Sequence, residues 1–146
     1  MKKLLAAFFL LLFVVSCQEP TSIENSLNNI SFRTDKTSYI TSDNIKVVLE
    51  NKSGLDIKIG LRCGIYPEMF YQKKKDNVWS DNFSFRWMLL KCPTVLNTIP
   101  SNNVFTYSIE PGMFDTTGTY RLVVDIYKKS EDIKISKFSN MFFIQE

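Results

Sequence analysis

Three cysteines, 15 acidic residues and no histidine define the chemistry open to this 146-residue chain. Without histidine there is no Ser-His-Asp or Cys-His arrangement and no His-ligated metal. Serine and threonine are plentiful, but a lysine would have to act as their base, and no Ser-x-x-Lys falls on a helical pattern. Some pair of acids is bound to lie close in so small a chain, so proximity alone does not make a glycosidase. No Asp-x-Asp-x-Asp run offers calcium a loop, and five glycines form no phosphate-binding loop. The chain reads as non-catalytic, with no cofactor and no metal.

Two of the cysteines, Cys63 and Cys92, form an even pair, and in an exported domain such a pair reads as a disulfide. Closing a loop of about 30 residues stabilises a fold by about 3–4 kcal/mol in the chain-entropy model. Two buried free thiols are the alternative. A metal site would need two carboxylates brought in from elsewhere.

Between the cysteines the sequence is crowded with rings. Tyr66, Phe70, Tyr71, Trp79, Phe83, Phe85 and Trp87 fall within 22 positions. Most are expected in a core, and the alternation of Phe83, Phe85 and Trp87 reads as one strand burying one face. An exposed subset drawn from Tyr66, Trp79, Phe83 and Phe85 forms the binding candidate, since rings dominate binding hot spots and sugar platforms. Lys73-Lys74-Lys75 precedes an Asp76-Asn77 turn. The triplet reads as a solvated hairpin tip, or as a contact for acidic headgroups.

Lys2 and Lys3 precede an apolar run from Leu4 to Val15. That run has the length of a signal-peptide core and is too short to span a bilayer, which takes about 20 residues. Val14-Val15-Ser16-Cys17 resembles the bacterial lipobox. The resemblance implies cleavage after residue 16 and acylation of Cys17, which anchors the chain to a membrane through several acyl chains. Gln18 in place of an aspartate favours the outer membrane, and Glu19 fits a surface-export signal of the Bacteroidetes type. Asp115-Thr116-Thr117 resembles the short O-glycosylation signal of that group. Loss of Lys2 and Lys3 leaves 16 basic residues against 15 acidic ones, a balance that excludes steering to nucleic acid.

Residues 17–27 read as the lipidated cysteine and a polar tether. From residue 28 the apolar pattern has period two. Ile30 and Phe32 alternate, as do Ile45, Val47 and Leu49; Leu55, Ile57, Ile59 and Leu61; Tyr120, Leu122, Val124 and Ile126; and Phe142 and Ile144. Asn51-Lys52-Ser53-Gly54 reads as a hairpin turn, Pro111-Gly112 and Gly118 flank a loop, and Ser130-Glu131-Asp132 joins the last two strands. Residues 28–146 are therefore expected to form one all-β domain of about seven or eight strands, an antiparallel sandwich or a closed barrel.

SFRTDKTSYITSDNIKVVLENKSG, SIEPG followed by GTYRLVVDI, and FSNMFFI resemble the strands of immunoglobulin-like domains in small bacterial lipoproteins. More distantly, they resemble the intracellular proteinase-inhibitor domains of bacilli. The resemblance implies an Ig-like β-sandwich, with Tyr120 as a tyrosine corner whose hydroxyl returns to nearby backbone. Three roles follow as expectations. The first is a binding or accessory module for an envelope protein partner. The second is a glycan-binding module built on segment 66–87, and the third is a protease inhibitor.

Overall fold

The computed structural model describes residues 28–110, 112–114, 116–128 and 134–146. The expected signal segment 1–16, the expected lipidation site Cys17 and the expected tether to residue 27 lie outside these residues. So do Pro111, Asp115 of the Asp115-Thr116-Thr117 triplet, and the Ser130-Glu131-Asp132 connection.

Strict alternation produces the first layer. β1 (Ile30–Thr34) turns Ile30 and Phe32 inward and Ser31 and Arg33 outward. It pairs antiparallel with β3 (Ile45–Asn51), which buries Ile45, Val47 and Leu49. The other edge of β3 takes β10 (Asn103–Ile109), so this sheet has the order β1-β3-β10.

The second layer is built around β11 (Gly118–Lys128), the longest strand. One side of β11 carries β12 (Lys134–Phe138) and β13 (Phe142–Gln145), which follow one another along the same edge. The other side carries β4 (Ile57–Arg62) and β6 (Met69–Lys75). β4 also pairs with β5 (Tyr66–Pro67) and with β9 (Thr94–Ile99). Short ribbons complete the sheet: β2 (Ser38–Ile40) lies parallel to β13, while β7 (Val78–Trp79) and β8 (Phe83–Ser84) lie against β6. Ile30, Phe32, Val47, Leu49 and Ile109 of the first layer share one core with Ile57, Ile59, Met69, Leu122, Val124 and Ile126 of the second.

This is the all-β sandwich that the alternation predicts. The strands are more finely divided than the expected seven or eight: Ser139–Met141 and Glu68 each split a run, and the short β2, β7 and β8 add to the number. The Ser139 side chain repairs one interruption by accepting the Leu122 N–H at 2.8 Å.

Asn51-Lys52-Ser53-Gly54 does not close a hairpin. β3 and β4 belong to different sheets, so this segment is the corner by which the chain crosses between layers. Asn51 holds that corner. Its side-chain NH2 donates to the carbonyls of Leu55 at 2.8 Å, Ile99 at 3.0 Å and Pro100 at 3.1 Å. Its Oδ1 accepts from the Ser53 hydroxyl at 2.6 Å and the Ser53 N–H at 3.1 Å. A fully buried carboxamide is tolerated because every polar atom has a partner.

β6 and β7 do form a hairpin, with Lys75 opposite Val78. Asp76 and Asn77 both have positive φ, 49° and 64°, as the two central residues of a type I′ turn require. Tyr120 is buried, and its hydroxyl donates to the Thr116 carbonyl at 2.6 Å, the return to backbone expected of a tyrosine corner. Lys73 differs from the expected solvated triplet. Its Nζ donates to the Thr117 carbonyl at 2.9 Å and lies 5.5 Å from the centre of the Tyr120 ring. A side chain at Gly118 would collide with the Lys73 stem, 2.8 Å from where its Cβ would stand.

Candidate functional site

Cys63 and Cys92 are joined by a disulfide across Cα atoms 5.2 Å apart. Cys63 sits just beyond β4, in the turn that leads to β5, with φ of 55°. Its N–H donates to the Pro93 carbonyl at 3.1 Å, so the bridge and a backbone bond close the same end of the β4–β9 pair. Arg62 reinforces this end by donating from Nε to the Leu90 carbonyl at 3.0 Å.

The rings between the cysteines do not form one strand. Phe83 belongs to β8, whereas Trp87 belongs to a 3-10 helix, Arg86–Leu89, that starts after Phe85. The helix packs because Trp87 is apolar with a polar end: its ring buries, and its indole N–H donates to the Pro67 carbonyl at 2.9 Å. Phe85 stacks on Trp87 with centroids 4.3 Å apart and planes 7° from parallel. At 1% exposure Phe85 is a core residue, so it is withdrawn from the surface candidates. Two-residue alternation cannot tell a strand from an extended residue that enters a turn of 3-10 helix, because both bury Phe85 and Trp87; only Phe83, left at the surface, departs from the expected face.

The other candidates lie on separate surfaces. Phe83 is 46% exposed and stacks on Tyr71. Trp79 is half-buried, with the Arg121 guanidinium 4.3 Å from its ring centre; the same guanidinium lies 4.2 Å from the centre of Phe138. Arg121 also donates to the Gln72 side chain at 2.7 Å, which fixes this ladder on the outer face of β11. Tyr66 stands apart from both, stacked on Trp87 with centroids 6.0 Å apart.

Tyr66 forms one wall of a cleft of about 250 Å³. Trp87, 5% exposed, and Tyr107 of β10 also line it, Tyr107 meeting Trp87 edge-on at 5.8 Å. Leu90 and Met113 add apolar lining, and the exposed Arg86 and Glu110 bring opposite charges to its rim. Burial, with Tyr66 and Glu110 nearby, pushes the Tyr107 phenol above its ordinary pKa. The cleft lies between the two layers, where β10 ends one sheet and the 3-10 helix caps the other. Sequence reasoning found Tyr66 but missed Arg86, Tyr107, Glu110 and Met113. The alternation of Phe105, Tyr107 and Ile109 was the available signal for Tyr107; nothing local marks the two charges as neighbours.

A second feature is a strand edge of the large sheet. β9, with the sequence TVLNTI, carries no charge, and β4 is its one partner strand among the described residues. Val95 and Leu96 are 51% and 52% exposed, and Leu89, beside the disulfide, is 80% exposed. Natural edge strands are usually blunted by charge, proline or bulges. Here Pro93 and Pro100 bracket β9 without interrupting it.

Among the described residues no three His, Cys, Asp or Glu side chains gather as a metal site would. No helix among them is long and apolar enough to cross a membrane. No protein-family model matches the sequence, and no curated protein matches it. Among solved structures the chain is similar to the sporulation control protein Spo0M of Bacillus subtilis, with 10% identity and a TM-score of 0.43 over 81% of this chain and 49% of that one. The chain thus spans about half the length of that protein.

Proposed function

We propose that this chain is a non-catalytic, lipid-anchored protein of the bacterial envelope, held in the outer membrane by acylated Cys17, that binds an envelope protein along β9. The observation that carries the reading is the uncharged, exposed edge of β9, where Val95 and Leu96 are both half exposed. An unpaired strand edge offers backbone donors and acceptors to an incoming extended segment, and alternate side chains then select among segments. The missing histidine argues against catalysis, and the lipobox resemblance argues for the anchor.

In-cell photocrosslinking tests the binding claim. A photoreactive residue placed at Leu96 should give one discrete adduct with an envelope protein. The same probe at Thr119, on the far side of the large sheet, should not give that adduct. A smear of products common to both positions would count against the reading. Metabolic labelling with a fatty-acid analogue tests the anchor, since label should be incorporated and should vanish in Cys17→Ser.

A further inference from the structure

We infer that the cleft between Tyr66 and Tyr107 is a binding site for a neutral saccharide ring. This proposal stands on its own geometry and does not depend on the β9 edge.

Three properties of the cleft choose the ligand class. First, its lining is largely aromatic: the half-buried Tyr66 and Tyr107 supply ring surface, held by the buried Trp87, on which Tyr66 stacks and which Tyr107 meets edge-on. Pyranose rings present a C–H face that packs on such surfaces, while their hydroxyls remain at the edge. Second, the rim carries both a donor and an acceptor. Arg86 can only donate and the Glu110 carboxylate can only accept, and neither is in an ion pair among the described residues. A sugar hydroxyl does both, so one ring satisfies both groups. Third, the charges oppose one another. A uronic acid would gain Arg86 but face Glu110, and an amino sugar would gain Glu110 but face Arg86, so a neutral ring has the advantage over either. The volume of about 250 Å³ lies below that of sites for drug-sized ligands and suits one ring, with further sugars extending into solvent.

The cleft is rigid where it matters. The Trp87 indole N–H is held by the Pro67 carbonyl, Phe85 lies flat beneath the ring, and the disulfide closes the segment that carries both. The walls are therefore set before a ligand arrives, which lowers the cost of ordering them on binding.

The chain has two tryptophans, Trp79 and Trp87, so Trp79→Phe makes Trp87 the sole indole reporter. The test uses the full chain with this substitution in a sugar-free detergent. Cellobiose, maltose, mannobiose and diacetylchitobiose are titrated while Trp87 emission is followed. The expected result is a saturable change with at least one of them, with Kd on the order of 1 mM. Arg86→Ala and Glu110→Ala should each weaken that binding about tenfold. Both side chains are exposed, so far-UV circular dichroism and the melting temperature should not change. Tyr66→Ala should abolish the signal.

No saturable change with any of the four sugars overturns the proposal. So does binding that survives both rim substitutions, because it would then be non-specific. N-acetyl-tyrosinamide serves as the rival probe. If it binds more tightly than every sugar and ignores Arg86→Ala and Glu110→Ala, the cleft takes a peptide side chain and the saccharide assignment is wrong.

Discussion

The Asn51 carboxamide donates to the Ile99 carbonyl across 3.0 Å, joining residues 48 apart in the sequence at the point where the chain changes sheets. The same NH2 serves the Leu55 and Pro100 carbonyls. One side chain thus fixes both the β3-to-β4 crossing and the corner between β9 and β10. Removing it leaves buried carbonyls without donors, and each such group costs about 1–3 kcal/mol. Asn51→Ala should therefore lower stability by about 3 kcal/mol, seen as a lower urea midpoint with an unchanged slope. Asn51→Asp should be as damaging at neutral pH, because a carboxylate cannot donate to three carbonyls. Ser53→Ala removes a single hydroxyl from the cluster and should cost about 1 kcal/mol. Equal, small losses for all three variants would show that the corner does not depend on this network.

Asn51 also shows what was legible in the sequence. Asn-Lys-Ser-Gly is turn chemistry, and a turn does occur there, but turn residues do not say whether the next strand pairs with the last one or leaves for the opposite layer. That choice is made by long-range contacts, here with Ile99 and Pro100. The period-two strands were legible because one buried face leaves a strong imprint: Ile45, Val47 and Leu49 point inward as their alternation requires. β9 left no such imprint, since Val95 and Leu96 are adjacent and both exposed. The cleft was half legible. Tyr66 was visible as part of an aromatic cluster, whereas Arg86 and Glu110 become neighbours only once the 3-10 helix and the end of β10 are in place.

The disulfide gives a second prediction. Cys63 and Cys92 enclose the segment that supplies Tyr66, Phe85 and Trp87. In the chain-entropy model a loop of this size contributes about 3–4 kcal/mol. Cys63→Ser with Cys92→Ser should lower the denaturant midpoint accordingly. It should also speed amide exchange locally, in the Arg86–Leu89 turn and in β9 ahead of β11. Uniform loss of protection over both sheets would mean that the bridge stabilises the whole sandwich rather than this end of it.

Tyr39 makes the third prediction, on pH. Its hydroxyl donates to Asp35 Oδ1 at 2.6 Å and accepts the Lys36 N–H at 2.9 Å. Burial first, and the Asp35 hydrogen bond second, push its pKa up to about 12 from an ordinary value of 10.0. The fold therefore favours the protonated phenol, and the unfolded chain loses that proton at lower pH. The stabilisation from Tyr39 is complete below pH 10 and is lost as pH rises towards 12. Spectrophotometric titration should show a late-ionising tyrosine that is absent from Tyr39→Phe. The decline in stability between pH 10 and pH 12 should be shallower in that variant. Parallel declines in the two proteins would assign the alkaline loss to other groups.

The last prediction concerns the β9 edge. Val95 and Leu96 have exposed side chains, so neither contributes much to the fold, and an exposed substitution typically changes stability by less than about 0.5 kcal/mol. Leu96→Lys should therefore melt with the parent protein. A lysine on an exposed edge nevertheless opposes the approach of another strand, because docking would desolvate its charge. With the photoreactive residue moved to the exposed Thr98 of the same strand, the variant should lose the crosslinked adduct expected at this edge while keeping saccharide binding in the Tyr66–Tyr107 cleft. Leu96→Thr, which keeps strand propensity without charge, should retain the adduct. Loss of the adduct in both variants would point to the leucine side chain itself. Retention in both would move the protein-binding surface away from β9, most directly to the outer-face ladder of Trp79, Arg121 and Phe138.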